Sequence, residues 1–243
     1  IIMWILRRKF GYTAKALAEE IGCRVSWKYL PKREEFMVNY GINYPHANLN
    51  SKIIFNKLKV AEILRENGIP TPKIYLRGDV IPNEAFPLLA RLKYHSKGRD
   101  VIYVHNRKQL EELRYVSWDY LIEYINKKSE YRVHVLGNYA TIVNVKFKKE
   151  VNADPIVRCL NNGWHQISYE GEWADNLISL ALRTMQVLHY DFGAVDIIRR
   201  RDRLYVLEVN SAPGLESREP KHYANYFKNE KTKWKASLNL AVH

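Results

Sequence analysis

Two neighbouring segments constrain this chain more than any others. Gly193–Arg199 and Arg203–Asn210 read as the strands of a hairpin around a basic turn, and Ser211-Ala212-Pro213-Gly214 follows the second strand. Glu208 and Asn210 are two apart on one strand, so they share a face. Asp196 lies on the partner strand between Val195 and Ile197, which must face the other way. A matched register brings two carboxylates and an amide oxygen together on one side of the hairpin. These are hard oxygen donors, of the kind that hold Mg²⁺ or Mn²⁺ jointly with phosphate oxygens. Carboxylates set among Val, Ile and Leu are costly without a cation. From spacing alone that cation is either a metal ion or one of the nearby arginines.

A second hairpin precedes it. Tyr131–Leu136 and Tyr139–Lys148 alternate around Gly137-Asn138, and Gly in the first place of a two-residue loop suits a type II′ turn. Tyr131, Val133 and Val135 share one face. Arg132 and His134 share the other, in line with Glu130, while Asn144, Lys146 and Lys148 form the polar face of the second strand. Core on one side and water on the other explains this pattern without any ligand.

The rest of the chain mixes helix and strand. Strands are predicted at Ile2–Leu6, Cys23–Trp27, Phe36–Tyr40, Phe86–Leu92, Val101–Val104 and Tyr120–Ile125. A helix at Thr13–Ile21, with Thr13 as a candidate N-cap and Gly22 beyond its end, completes a small α/β unit at the start. Ser51–Asn67 is predicted helical from Ile54, Leu58, Ala61 and Leu64, with Gly68 and Pro70-Thr71-Pro72 stopping it. Further helices are predicted at Arg107–Arg114 and Trp173–His189. The last stretch, with Tyr223, Tyr226, Phe227 and Trp234, reads either as a docked helix or as a loosely held tail.

Composition narrows the class. The 243 residues carry 39 Lys/Arg against 26 Asp/Glu, a formal net charge of +13. Residues 1–60 hold 11 of the cations and 4 of the anions. Such a surplus draws polyanions or simply forms a soluble basic surface. No apolar run approaches the ~20 residues of a bilayer span, and Ile1–Leu6 is too short for a secretion signal. Cys23 and Cys159 make neither a disulfide framework nor a zinc site, which points to a reducing, cytoplasmic setting. The chain opens on Ile1 rather than Met, which leaves its true start open.

From about residue 43 to 217 the motifs, in order, resemble the ATP-grasp superfamily, and in particular ribosomal-protein glutamate ligases and D-alanine ligases. The acid of Val195-Asp196-Ile197, followed by Leu207-Glu208-Val209-Asn210-Ser211 and Pro213-Gly214, is similar to the family's metal-binding end. Asn56-Lys57 before Gly68-Ile69-Pro70-Thr71-Pro72 is similar to its first lysine and the stop that follows. Phe86–Arg91 stands where the family has a strand ending in a second lysine, here Arg91, with Lys93 close by. His95–Asp100 corresponds to a flexible phosphate-covering loop. It has a single glycine, Gly98, where relatives often have several, and it also carries Ser96, Lys97 and Arg99.

The resemblance implies an α/β (α+β) ATP-grasp fold, two α+β lobes around an ATP cleft, with a shortened N-terminal α/β lobe. The corresponding division is 1–50, 51–122 and 123–243. Glu123, Tyr124 and Ile125 would meet adenine, and Glu130 a ribose hydroxyl. Lys57, with Arg91 or Lys93, would neutralise phosphate oxygens, as would Lys146, and Ser96 and Gly98 would close over them. Asp196, Glu208 and Asn210 would hold Mg²⁺ or Mn²⁺. Arg132 and Arg158 would bind the oxygens of an acylphosphate or of the substrate carboxylate. The implied activity is an ADP-forming ligation of a carboxylate to an amine or other nucleophile. The basic surface favours an acidic acceptor such as a peptide tail or another polyanion. Two alternatives stand beside it: a non-catalytic nucleic-acid-binding module, and an ATP-grasp phosphotransferase without ligation. Neither requires a membrane.

Overall fold

The structure is a computed structural model; it describes residues 2–9, 11–27, 34–94 and 101–240. Three sheets succeed one another along the chain. The first is parallel and three-stranded, with β1 (Met3–Arg7) between β2 (Arg24–Ser26) and β3 (Phe36–Tyr40); α1 (Tyr12–Ile21) connects β1 to β2. After α2 (Lys57–Glu66) come β4 (Ile74–Leu76), β5 (Leu88–Arg91), β6 (Ile102–Val104), α3 (Arg107–Glu112) and β7 (Tyr120–Glu123), whose strands pair antiparallel in the order β4-β7-β5-β6. The last sheet contains β8 (Ser129–Leu136), β9 (Tyr139–Lys148), β10 (Trp164–Ser168), β11 (Phe192–Arg200) and β12 (Arg203–Asn210). It is fully antiparallel, in the order β10-β9-β8-β11-β12, with α4 (Ala174–Leu188) between β10 and β11 in sequence. α5 (Glu219–Leu240) closes the described chain.

One face of the five-stranded sheet is apolar and makes the main core. Tyr131, Val133, Val135, Val195, Ile197 and Val209 pack there against Leu177, Ala181, Met185 and Leu188 of α4. Each such side chain contributes roughly 1.5–3 kcal/mol on burial. This occupies one side of β8, β9, β11 and β12, so the alternating residues are forced onto the opposite face. Of the functional candidates, Glu130, Arg132, Lys146, Asp196, Glu208 and Asn210 lie on that face.

Two local expectations change, two strands are added and one open alternative is resolved. α1 takes Gly11, not Thr13, as its N-cap and has no side-chain cap. α2 begins at Lys57 rather than Ser51, because the Asn56 side chain accepts the Lys59 N–H at 3.1 Å and fixes the first turn there. The preceding residues spend their N–H groups on tertiary partners instead: Ile53 donates to Asn43 Oδ1 and Ile54 to the Tyr190 hydroxyl at 2.8 Å. Strands β4 and β10 had no counterpart in the sequence reading. The C-terminal stretch is a docked helix: Tyr223, Ala224 and Phe227 are buried with Met3, Ile5, Leu17 and Phe36 of the first sheet and its helix.

The N-terminal unit also touches the end of β12. The Tyr40 hydroxyl donates to the Pro213 carbonyl at 2.5 Å, and Asn50 binds both Asp191 and Phe192. A Cβ on Gly41, which has a φ of 81°, would stand 3.0 Å from the Ala212 Cβ. The first sheet therefore braces the turn that leaves the candidate site.

Candidate active site

The polar face of the five-stranded sheet is organised in transverse rows. Asp196 on β11 is the register partner of Glu208 on β12 and of Arg132 on β8. Arg132 is in turn the partner of Asn144 on β9, and Asn144 of Ser168 on β10. One line of polar side chains thus crosses all five strands. Directly opposed residues have Cβ atoms about 4.5–5.5 Å apart, so the members stand side by side. A bulge makes the line possible: Asp196 pairs with Glu208, yet Ile197 pairs with Val206, which leaves Leu207 as the extra residue on β12.

The centre of the row is a buried ion pair. Arg132 grips Asp196 with two parallel hydrogen bonds, Nε to Oδ1 at 2.7 Å and an Nη to Oδ2 at 2.8 Å. Burial pushes the Asp196 carboxyl up, but the guanidinium of Arg132 and the ammonium of Lys146 outweigh it, and the group stays well below the usual carboxylate range. Burial works against the Arg132 charge in the same way, and Asp196 more than compensates it. Asn210, two residues past Glu208, donates to Asp196 Oδ2 at 3.4 Å. The three proposed metal ligands therefore share one face and one neighbourhood, with Arg132 among them.

A second cluster lies one step along the strands. Glu130 is 4% exposed, with Lys127 at 2.6 Å from one carboxylate oxygen and Lys146 at 2.5 Å from the other. Lys146 also donates to the Arg158 carbonyl at 2.8 Å, and Lys127 to the Ile156 carbonyl at 2.8 Å. Arg158 returns a bond to the Lys127 carbonyl and stacks 4.4 Å above the Trp164 ring. Burial lowers the Lys127 ammonium, opposed by Glu130; for Lys146 the carboxylates of Asp196 and Glu130 overcome burial and raise it. In this arrangement both oxygens of Glu130 face ammonium groups. Lys127 is a member that the sequence reading missed; nothing in its local sequence separates it from exposed Lys128.

Lys57 reaches the same region from α2. Its Nζ donates to the carbonyl of Val209, between Glu208 and Asn210, at 2.8 Å. Its charge also lowers Asp196, although less than those of Arg132 and Lys146 do. The backbone N–H of Lys57 bonds the Lys93 carbonyl, and Lys93 is itself tied to Asp119 through its backbone N–H at 2.8 Å. Arg91 is the register partner of Tyr120, and the Tyr120 hydroxyl feels both Arg91 and Glu208. The four-stranded sheet thus brings Arg91 towards the row. In the segment between the two sheets, the Glu123 N–H bonds the Lys73 carbonyl and the Tyr124 N–H the Pro87 carbonyl. Ile125 is buried, and the Tyr124 ring meets Tyr103 edge-on at 5.0 Å. Ser96 and Gly98, with the rest of the expected covering loop, lie outside the described residues.

The donor set fits a divalent cation that arrives with phosphate. Among the described residues no three His, Cys, Asp or Glu side chains stand together as a metal site. Two carboxylates and an amide are instead what Mg²⁺ typically takes from a protein when a substrate's phosphates supply the remaining ligands.

Residues 55–228 match the family described as the RimK-like ATP-grasp domain. Among curated proteins, the chain is 25% identical over 225 residues to a probable alpha-L-glutamate ligase of Haemophilus influenzae strain 86-028NP, covering 86% of this chain and 68% of that one. It is 26% identical over 212 residues to the coenzyme gamma-F420-2:alpha-L-glutamate ligase of Methanococcus maripaludis, covering 79% and 69%. Among solved structures, D-alanine–D-alanine ligase from Bacillus anthracis superposes over 100% of both chains with a TM-score of 0.68 at 13% identity. The ATP-grasp ligase PsnB with its minimal precursor, Mg and ADP superposes over 94% of this chain and 96% of that one, with a TM-score of 0.69 at 11% identity. At such identities the structural likeness speaks for the fold, which is the one the sequence motifs implied.

Proposed function

This chain belongs to the RimK-like ATP-grasp family, and from that premise we propose that it joins a carboxylate to an amine through an acylphosphate, releasing ADP and phosphate. It is an ATP-grasp ligase; the proposal concerns its route and its residues. A carboxylate oxygen of the first substrate attacks the γ-phosphorus of ATP and the bond to ADP breaks. The amine nitrogen then forms the bond to the acyl carbon, phosphate leaves, and the amine's proton passes to solvent.

The observation that carries this reading is the row Arg132–Asp196–Glu208, with Asn210 beside it and Lys57 behind it. Asp196, Glu208 and Asn210 would hold Mg²⁺ (or Mn²⁺), whose contribution when bound is to neutralise and orient the phosphate oxygens. Lys57, Lys146 and either Arg91 or Lys93 would bind those oxygens, with Ser96 and Gly98 covering them. Glu123, Tyr124 and Ile125 would meet adenine, and Glu130 would fix Lys127 and Lys146 beside the ribose. Arg132, once Asp196 turns to the cation, is freed to bind the acylphosphate, with Arg158 as its counterpart on the other side of Lys146; a guanidinium fork suits either a carboxylate or a phosphate. The division into 1–50, 51–122 and 123–243 then corresponds to a bracing unit, a nucleotide-covering unit and the unit that carries the row. An acidic acceptor, including a peptide, is the class that the basic surface favours.

The test is product analysis over pairs of carboxylates and amines with Mg-ATP. ADP and free phosphate released only when both substrates are present supports ligation. A phosphorylated substrate formed without amine indicates a phosphotransferase, and nucleic-acid binding with no ATP turnover indicates a binding module.

A further inference from the structure

Beyond Arg132 the transverse row continues to two residues that the ligase reading leaves without a role, Asn144 and Ser168. Each holds a charged side chain at the entry to α5, Glu219 being its first residue and Arg218 the residue before it. The Asn144 amide donates to Glu219 Oε1 at 2.9 Å, and Arg218 hydrogen-bonds the Ser168 hydroxyl. The second oxygen of Glu219 accepts the Glu216 N–H at 3.2 Å. Together they line a cavity of about 260 Å³, with Gln166 and Glu216 also in its lining; Glu219 is the buried member, Arg218 and Glu216 are exposed.

The buried member is electrostatically incomplete. Glu219 is 5% exposed, yet its carboxylate accepts from an amide and a backbone N–H, and no ion pair among the described residues includes it. A buried carboxylate is normally paired with a cation. Here the group lines a cavity, and Arg218 lines the same cavity. Building on the ligase reading above, the structure assigns Glu219 and Arg218 as the pair that selects the amine substrate: Glu219 reads an ammonium and Arg218 an acidic group on the same molecule. Asn144 and Ser168 are positioning residues that aim the two charges. Because Asn144 is the direct neighbour of Arg132, a ligand seated on Glu219 lies beside the proposed acylphosphate site.

The probe is the set of proteinogenic L-amino acids, tested one at a time for thermal stabilisation of the full chain in Mg-ADP. The best of them is then compared with its deaminated acid and with its α-amide. Removing one partner of a buried charge pair costs enough to weaken binding about 30-fold or more. The expected result is that loss of the ammonium weakens binding by about that factor in the wild type and by little in Glu219→Gln. Arg218→Gln removes only the discrimination against the α-amide. Both variants keep the stabilisation by Mg-ATP and the KM for ATP, while the KM for the amine rises. If Glu219→Gln does not fold, the wild-type comparison still decides, and Glu219→Asp should show the same loss in part. A wild type that binds the deaminated acid as well as the amino acid overturns the assignment. So does a folded Glu219→Gln that keeps the discrimination, or an enzyme that no amino acid stabilises although Mg-ATP does. Failure of Mg-ATP itself to stabilise the wild type would count against the ligase reading instead.

Discussion

Replacing Asp196 by Asn tests the centre of the row. The Arg132–Asp196 pair is bidentate at 2.7 and 2.8 Å, and its side chains are only 17% and 6% exposed. An amide of the same shape accepts at one oxygen only and leaves the guanidinium charge uncompensated. Breaking a buried pair in this way costs about 3–5 kcal/mol. Glu208 and Glu130 also act on Arg132, so the low end, about 3 kcal/mol, is expected. At about 2–4 °C per kcal/mol for a chain of this size, Asp196→Asn should melt roughly 6–12 °C below the wild type at pH 7. The pair Arg132→Met with Asp196→Leu should recover to within about 1 kcal/mol, since an apolar replacement of similar volume removes the buried charges altogether. Neither variant should be stabilised by Mg-ATP. The pH sign follows from the depressed carboxyl. Its contribution is complete above the unfolded value of about 3.9 and is lost as pH falls from there towards the folded one, so the gap between wild type and Asp196→Asn narrows below about pH 4. Differential scanning fluorimetry with urea titration measures all of this. A single variant that melts within about 1 °C of the wild type at pH 7, or a double variant no better than the single, would show that Arg132 does not depend on Asp196.

Three further outcomes follow from particular contacts. His134 is buried beside Arg132 and pushed down to about 3, so folding should weaken by up to about 1.4 kcal/mol per pH unit below 6.5, where the unfolded chain takes the proton; His134→Gln should flatten that slope in urea midpoints, and an unchanged slope refutes the assignment. Gly193→Ala would place a Cβ 2.8 Å from the Asn210 carbonyl oxygen and 3.1 Å from Met185 Cε, so β12 must shift; the variant should lose stabilisation by Mg-ATP out of proportion to its fall in melting temperature. Cutting the chain to its family-matched part, residues 55–228, strips Met3, Ile5, Leu17 and Phe36 from Tyr223 and Phe227; it should aggregate or expose apolar surface to a hydrophobic dye, and a soluble, cooperatively melting fragment would contradict the bracing role given to the first sheet.

How much of this was legible in the sequence depends on the range of the interaction that decided it. Both hairpins follow from two-residue alternation and a short turn, and alternation alone puts Glu208 and Asn210 on one face; that Asp196 joins them depends on the bulge. The pairing of β8 with β11 could not be read, because it joins strands separated by α4 and β10 in sequence, and with it went the Arg132–Asp196 contact. Both readings left open by the spacing, metal donors or a carboxylate paired with arginine, bear on the same Asp196. The bulge at Leu207 breaks the alternation where a period-based reading assumes it continues. Ile54 satisfies a helical period, yet Tyr190, far along the chain, takes its N–H and keeps it out of α2. Strand β10 is short and sits at the sheet edge, and Asn144 and Ser168 acquire meaning only once the row is assembled.

The net charge of +13 suggested a polyanion, but the structure separates two kinds of positive charge. The turn after β11 is basic in sequence, yet Arg199 lies 4.9 Å over the Trp173 ring, and only Arg200, Arg201 and Arg203 are exposed at the tip. Charges there are screened beyond a Debye length of about 8–10 Å. Around the row, Lys57, Lys127, Arg132, Lys146 and Arg158 gather at buried or half-buried positions against Asp196, Glu130 and Glu208. An excess of buried or half-buried cations is unfavourable and is relieved by a bound anion. On the proposed ligase reading, the surplus that a triphosphate would meet is this local one. Binding of Mg-ATP should lose less affinity on raising salt than binding of any polyanion to the exposed tip, and equal salt slopes for the two would place the nucleotide away from the row.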